Sequence, residues 1–183
     1  MVLPIRSYMD KPLKREKKLV MTVLTSPDMI NFSGKVHGGA MLRLLDQVAY
    51  ACASRYCGHY VVTLSVDQVF FKAPINLGDL VTFMSHVNYT GRTSMEIGIK
   101  VVAENPRTTE SRHVMSCFFT MIAVDEKANP IPVEPVELET EMERQLYESA
   151  KQRRTLREQY QKAYDATLTK NAQTAEKKEK KAA

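Results

Sequence analysis

The segment from His37 to Cys57 constrains the fold of this chain more than any other part of the sequence. It contains no proline, and its only charged residues are Arg43, Asp46 and Arg55. Its apolar residues have the spacing of one broad helical face: Ala40, Leu44, Leu45, Val48, Cys52 and Tyr56. We therefore predict one helix about 30 Å long. Because a helix on a protein surface needs a polar stripe, so few charges predict a helix that is covered on most sides.

Segments with the pattern of β-strands lie on both sides of this helix. They are 18–25 before it, and 61–71, 80–89, 95–102 and 113–124 after it. In the second of these, Val62, Leu64, Val66 and Phe70 are predicted to share one face, opposite Thr63, Ser65 and Asp67. The later connections are short and turn-like, which favours antiparallel neighbours. An antiparallel sheet with a single long buried helix has to curl around that helix, so we predict the α+β class.

The distribution of charge separates a tail from the rest of the chain. The 183 residues have a net charge of +5, but residues 140–183 alone carry 11 Lys+Arg against 7 Asp+Glu. All glycines and prolines precede Val136. We predict an N-terminal arm over 1–14, one domain over 15–135, and a charged helical tail over 136–183 with a disordered end. The tail also contains interleaved glutamates, which argues against a nucleic-acid-binding module.

Composition excludes two further classes of protein. No run free of charged residues exceeds 12, whereas a bilayer-spanning helix needs about 20 apolar residues. The N-terminal residues contain no apolar core of a signal peptide, so we expect a cytoplasmic protein.

The three cysteines, Cys52, Cys57 and Cys117, form no CxxC pair. We expect them to be small buried hydrophobic residues, with no disulfide framework and no metal site.

The strongest candidates for catalytic residues lie in the run NFSGKVHGGAMLRLLDQVA, residues 31–49. Gly38 and Gly39 would present backbone N–H groups at the start of the helix, where the helix dipole favours a developing oxyanion. Asp46 follows eight residues after Gly38, which is about 12 Å along the helix axis and roughly 80° around it. If the amides and the carboxylate act on one atom, they are expected to come from different protomers.

Each of these residues also has a purely structural interpretation. The two glycines are compatible with a tight entry to the helix, His37 with either a capping residue or a base, and Asn31 with a turn. Asp46 is compatible with an exposed polar position. However, its neighbours along the chain are not typical surface residues: Leu42, Leu45, Ala49 and Tyr50. A carboxylate among such side chains needs partners, because burial of an unpaired charge is costly.

Three runs of this sequence together resemble the hotdog-fold acyl-CoA thioesterases, the group of the cytosolic long-chain acyl-CoA hydrolases and their bacterial counterparts. The runs are NFSGKVHGGAMLRLLDQVA, FFKAPINLGDLV and YTGRTSMEIGIKVVAENP, and the resemblance extends over about residues 15–132. It implies a hotdog fold, in which an antiparallel sheet wraps around one long central helix. It also implies hydrolysis of fatty acyl-CoA to free acid and CoA, with Asn31 and Asp46 implicated in catalysis.

The resemblance implies a mechanism as well. Asp46 would act as general base on a water molecule, or as a nucleophile, while the amides of Gly38 and Gly39 stabilise the oxyanion. Asn31 would orient the water or the thioester carbonyl, beside the positioning residue His37. No cofactor is expected beyond the CoA of substrate and product. The expected assembly is a homodimer with shared active sites, further assembled into a trimer of dimers.

Candidate contacts for the CoA phosphates are Lys72 and the turn residues Arg92, Thr93 and Ser94. A plain β-turn is the alternative for the last three. Two alternative functions remain open at this point, a non-catalytic acyl-CoA sensor and a hotdog dehydratase. A dehydratase would be expected to pair an active-site histidine with its carboxylate.

Overall fold

The computed structural model describes residues 15–182, with side chains up to residue 169. The arm predicted over 1–14 lies outside the described residues. The chain divides into two compact units, one ending at Glu137 and the other beginning at Leu138. The elements of the first unit are β1 (Lys18–Leu24), a 3₁₀ helix (Pro27–Met29), α1 (Gly38–Cys57), β2 (Tyr60–Val66), β3 (Leu80–Thr90), β4 (Ser94–Glu104) and β5 (Ser111–Val124). This order of strands and helix confirms the order predicted from the sequence.

The five strands form one antiparallel sheet in the order β1-β3-β4-β5-β2. Across its centre, Phe83 of β3 pairs with Val101 of β4, which pairs with Met115 of β5. Helix α1 contacts all five strands, as expected for a sheet that curves around it. The fully buried side chains come from both layers: Met41, Leu45, Val48, Phe83, Ile97, Val101, Met115 and Phe119. One helix packed against one antiparallel sheet is the α+β architecture that the sequence predicts.

Helix α1 ends where the sequence first allows a left-handed residue. Gly58 has φ 74° and ψ 15°, and its N–H donates a hydrogen bond to the Ser54 carbonyl at 2.8 Å. Glycine adopts this conformation without the Cβ clash that other residues would meet. The helix therefore stops at Cys57, and after Gly58 and His59 the chain enters β2 at Tyr60.

The prediction that α1 is covered on most sides is wrong for the single chain. The sheet covers only one face of the helix, because all five strands lie on that side. The side of α1 that the sheet leaves open carries Leu42, Arg43, Gln47 and Tyr50, and the exposed Asp46 lies at its border with β2, where it contacts Thr63. Leu42 and Tyr50 are 42% and 39% exposed. Asp46 consequently lies in an open position and not in a dry core.

Strand β2 also differs from its prediction. It ends at Val66, and the residues expected to form its apolar face are instead exposed: Val62 47%, Leu64 67%, Val66 44% and Phe70 64%. Val61 is the buried residue, at 4%. Alternation identifies two faces of a strand but not which one meets the helix. Here β2 is an edge strand, with a register shift between Thr63 and Ser65.

The second unit is the single helix α2 (Glu141–Ala182). It begins with a capping box, in which the Glu143 N–H donates to the Thr140 hydroxyl and the Glu143 carboxylate accepts from the Thr140 N–H, both at 3.2 Å. Helix α2 continues to Ala182 through a stretch of alanine, glutamate and lysine without glycine or proline. None of the described helices is long and apolar enough to cross a bilayer.

The three cysteines are free and buried, as predicted. Burial raises the pKa of the Cys52 thiol to about 11 and that of Cys117 to about 12. Burial likewise raises the pKa of Cys57. At neutral pH these groups are therefore uncharged thiols that pack as small apolar side chains.

These pKa shifts predict how stability changes at alkaline pH. Because the folded thiols hold their protons more tightly than an exposed thiol of pKa about 9, their contribution is fully present below pH 9 and is lost as the pH rises toward 11. Each such group removes about 1.4 kcal/mol of unfolding free energy per pH unit in that window. Chemical denaturation at pH 8.5 and 10.5 should show a smaller loss for Cys52→Ala/Cys117→Ala than for the parent. An equal loss in both proteins would contradict this.

Candidate active site

Asn31 opens a tight loop whose ends are joined by the bridge between Ile30 and Val36. The side-chain oxygen of Asn31 accepts three hydrogen bonds, from the Ser33 N–H at 3.0 Å, the Ser33 hydroxyl at 2.7 Å and the Lys35 N–H at 3.1 Å. Its NH2 group has no hydrogen-bond partner among residues 15–169, whose side chains the structure describes. The loop therefore holds Asn31 by its oxygen and leaves a pair of N–H donors available.

His37 is the N-cap of α1. Its Nδ1 accepts a hydrogen bond from the Gly39 N–H at 2.8 Å, and its backbone is extended, with φ −68° and ψ 135°. This arrangement satisfies one of the unpaired donors at the start of the helix. The amide of Gly39, expected to contribute to an oxyanion hole, is thus already occupied. In the part of the chain that the structure describes, the Gly38 N–H has no hydrogen-bond partner and remains available.

A pocket of about 340 Å³ opens beside the start of α1. It is lined by Val36, Gly38, Met41, Phe71, Lys72, Ala73, Pro74 and Ile75. The absence of a side chain on Gly38 matters here, since a Cβ would lie 3.4 Å from the Phe71 ring and narrow the pocket. The wall is mainly apolar, with one free backbone donor and one basic residue, Lys72. Such a pocket can accept an apolar chain and an adjacent anion.

Asp46 lies on the exposed face of α1, opposite the side chain of Thr63 on β2. The Thr63 hydroxyl donates to the Asp46 carboxylate at 2.6 Å and also lies 3.5 Å from the Met121 sulfur. The second carboxylate oxygen has no hydrogen-bond partner among the residues that the structure describes. Asp46 is therefore oriented through one oxygen and open through the other.

Sequence reasoning does not identify Thr63 as a candidate site residue, although its hydroxyl holds Asp46. The alternation of β2 puts Thr63 on the face opposite Val62, Leu64 and Val66, and an apolar face is the one normally expected to be buried. The available signal was a polar, β-branched side chain in register with the buried Val61, two residues earlier on the same face.

Arg92 and Thr93 lie in the turn between β3 and β4, and Ser94 is the first residue of β4. The carbonyls of Arg92 and Thr93 accept hydrogen bonds from the N–H groups of Val133 and Ala123, at 2.9 and 3.0 Å. This turn lies beside the last residues of β5, whereas the pocket lies beside the first. The strands between them are 11 residues long, or about 35 Å. Within one protomer, the predicted CoA contacts are therefore not brought together.

The residues of this chain match the model of the thioesterase superfamily over 33–110. Protein VdlD of Helicobacter pylori is 49% identical over 140 residues, which is 76% of this chain and 80% of that protein. A hexameric acyl-CoA thioesterase of known structure is 37% identical, with a TM-score of 0.76, covering 82% of this chain and 96% of its own. This chain belongs to the acyl-CoA thioesterases of the thioesterase superfamily. The hotdog architecture expected from the sequence is confirmed.

A further member of the family with a solved structure is the acyl-CoA hydrolase of Staphylococcus aureus, in complex with butyryl-CoA, CoA and CoA disulfide. It is 27% identical, with a TM-score of 0.77, covering 86% of this chain and 96% of its own. Structures of that enzyme also exist with an asparagine, an aspartate and a threonine each replaced by alanine. The spacing of those three positions equals that of Asn31, Asp46 and Thr63.

The cap at His37 predicts a specific pattern of stability. Loss of an N-cap costs about 1 kcal/mol, so His37→Ala should lower the unfolding free energy by that amount. Gly39→Ala should disturb the same cap, because its Cβ would lie 3.0 Å from His37 Nδ1. Since both changes remove one interaction, the double variant should lose less than the sum of the single variants in chemical denaturation. Additive losses would show that the two residues do not act together.

Proposed function

We propose that this chain hydrolyses fatty acyl-CoA thioesters to free fatty acid and CoA at a site built from two protomers, with Asp46 as general base. The observation that supports this most directly is the Asp46 carboxylate, held by Thr63 through one oxygen and open through the other. A carboxylate in this arrangement accepts a proton from a water molecule without changing its orientation.

The reaction needs only water as co-substrate. Asp46 takes a proton from the water molecule while the oxygen of that water attacks the thioester carbonyl carbon. The carbonyl oxygen becomes an oxyanion, which the Gly38 N–H at the positive end of the α1 dipole stabilises, by about 3 kcal/mol for a well-placed donor. The tetrahedral intermediate then expels the CoA sulfur, which takes up the proton from Asp46. No cofactor takes part in this scheme.

Asn31 contributes a donor and not an acceptor. Its oxygen is saturated by three hydrogen bonds within the loop, so only its NH2 group can reach the substrate. A donor of this kind stabilises the thioester carbonyl or holds the oxygen of the attacking water. The role proposed for Asn31 is therefore orientation of one of these two atoms.

Two exposed apolar surfaces support a homodimer. One is the open face of α1, with Leu42 and Tyr50, and the other is β2, with Val62, Leu64 and Val66. No strand among the described residues pairs with the outer edge of β2, which leaves its backbone groups open to a second strand. Exposed apolar side chains next to an open strand edge are typical of a surface that another chain covers.

Pairing of two β2 strands about a two-fold axis makes them antiparallel. Each protomer's β3–β4 turn then lies at the same end of the joined sheet as the pocket of its partner. We therefore propose that Arg92, Thr93 and Ser94 of one protomer and Lys72 of the other hold the CoA phosphates together. Assembly of three such dimers is proposed by analogy with the hexameric thioesterase of similar structure. The proposed location is the cytoplasm.

The geometry favours a hydrolase over a dehydratase. No histidine hydrogen-bonds to Asp46 in the described part of the chain, and Nδ1 of His37 is already occupied by the Gly39 amide. The alternative of a non-catalytic acyl-CoA sensor is tested by turnover itself. Release of free CoA thiol, measured with acyl-CoA of short to long chains, separates an enzyme from a sensor.

Asp46→Asn should reduce kcat at least about 10²-fold with little change in fold or CoA binding, because it removes the base at nearly constant volume. Thr63→Val should lose about tenfold, the value of one hydrogen bond to a charged group, and Thr63→Ser should retain most activity. The matched control is Asp165→Asn, at an exposed aspartate of α2. Full turnover by folded Asp46→Asn would exclude the mechanism.

A shared site predicts complementation between inactive variants. When Asn31→Ala and Asp46→Ala proteins exchange subunits at random, about half of the dimers are mixed, and each mixed dimer contains one intact site. Thiol release should then recover to roughly a quarter of the wild-type rate, in line with the two-fold geometry. No recovery after exchange has been demonstrated by native mass spectrometry would place both residues in the same protomer's site.

A further inference from the structure

The loop between β2 and β3 forms one wall of the pocket and carries a buried carboxylate that the proposed reaction does not use. Asp79 is only 2% exposed. Its Oδ2 accepts hydrogen bonds from the Arg112 guanidinium at 2.5 Å and from the Asn76 N–H at 2.8 Å. Arg112 also donates twice to the Pro74 carbonyl, from Nε at 3.1 Å and from Nη2 at 2.9 Å. We call this group of contacts the Asp79–Arg112 clamp.

The clamp forms hydrogen bonds with the loop backbone on both sides of Ile75. It holds the carbonyl of Pro74 on one side and the N–H of Asn76 on the other. The Ile75 carbonyl itself accepts a hydrogen bond from the Val36 N–H at 2.9 Å. A backbone bridge between Lys35 and Asn76 extends this contact by one residue. The pocket wall is thus joined to the segment leading into α1 at Ile75, the residue between the two clamped backbone groups.

We propose that Asp79 and Arg112 are positioning residues, which set the place of the Gly38 amide relative to the pocket wall. Val36 lies two residues before Gly38, and both line the pocket together with Pro74 and Ile75. This inference rests on the proposed function, in which the Gly38 amide stabilises the oxyanion. It assigns a role in the reaction to an ion pair whose two residues do not line this pocket.

The alternative is that the ion pair only stabilises the fold. The chemistry of the loop instead favours a role in positioning the pocket wall. Burial of a carboxylate is costly, and an exposed loop would satisfy its backbone groups with water at no such cost. Here Thr25 adds a further hydrogen bond, from its hydroxyl to the Asn76 carbonyl at 2.8 Å. Because a misplacement of about 1 Å can reduce catalysis about 10²-fold, a rigid loop at this position has a direct effect on rate.

The test compares Arg112→Ala and Asp79→Asn with a control, Val87→Ala, in the full-length chain. Asp79→Asn keeps the volume and an acceptor oxygen, so it remains informative if Arg112→Ala fails to fold. Val87 is fully buried near the far end of β3, so its truncation lowers stability without touching the loop. Three quantities are measured: the thermal midpoint, kcat for acyl-CoA well below that midpoint, and hydrogen exchange of the peptide over 29–41.

We expect both clamp variants to lower kcat at least tenfold and to speed exchange at residues 36–38, while Val87→Ala changes neither at a comparable loss of thermal midpoint. Unchanged exchange, unchanged kcat, or equal effects in Val87→Ala would each overturn the positioning role. Failure of the proposed function is recognised separately, because it would leave the unaltered protein without turnover or Asp46→Asn fully active.

Discussion

The proposed reaction depends above all on the distance along α1 between the Gly38 amide and the Asp46 carboxylate. Eight residues of helix separate Gly38 from Asp46, and a helix is too stiff to fold back within that length. A donor for the oxyanion and a base for the water must both lie within hydrogen-bond reach of one thioester. A single chain cannot place both there, so the proposed chemistry requires a second protomer.

The surfaces left open by the single chain fit that requirement. The sheet buries one face of α1, and the face that carries Asp46 remains exposed next to the unpaired edge of β2. The low number of charges on the helix, which suggested burial, is explained equally well by a partner chain on this open face. A partner chain would also cover apolar residues such as Leu64, which is 67% exposed in the single chain. Dimerisation and completion of the active site are one event in this account.

The main features of the fold were predictable because they depend on local patterns. The uninterrupted apolar face of α1 and the alternation in β3, β4 and β5 each follow from residues close in the sequence. The face of β2 that meets the helix was not predictable, because alternation is symmetric and the choice depends on packing. The loss of Gly39 as an oxyanion donor depends on one rotamer of His37. The pair of Asp79 and Arg112, 33 residues apart, is brought together only by the sheet register.

The most direct test of the shared site is a crystal structure of the Asp46→Asn variant with an uncleaved acyl-CoA. The account predicts a thioester carbonyl oxygen within 3.5 Å of the Gly38 N–H of one protomer, with the side chain of residue 46 from the other protomer within reach of the attacking water. A thioester that contacts both groups from the same protomer, or that lies away from the start of α1, would contradict it.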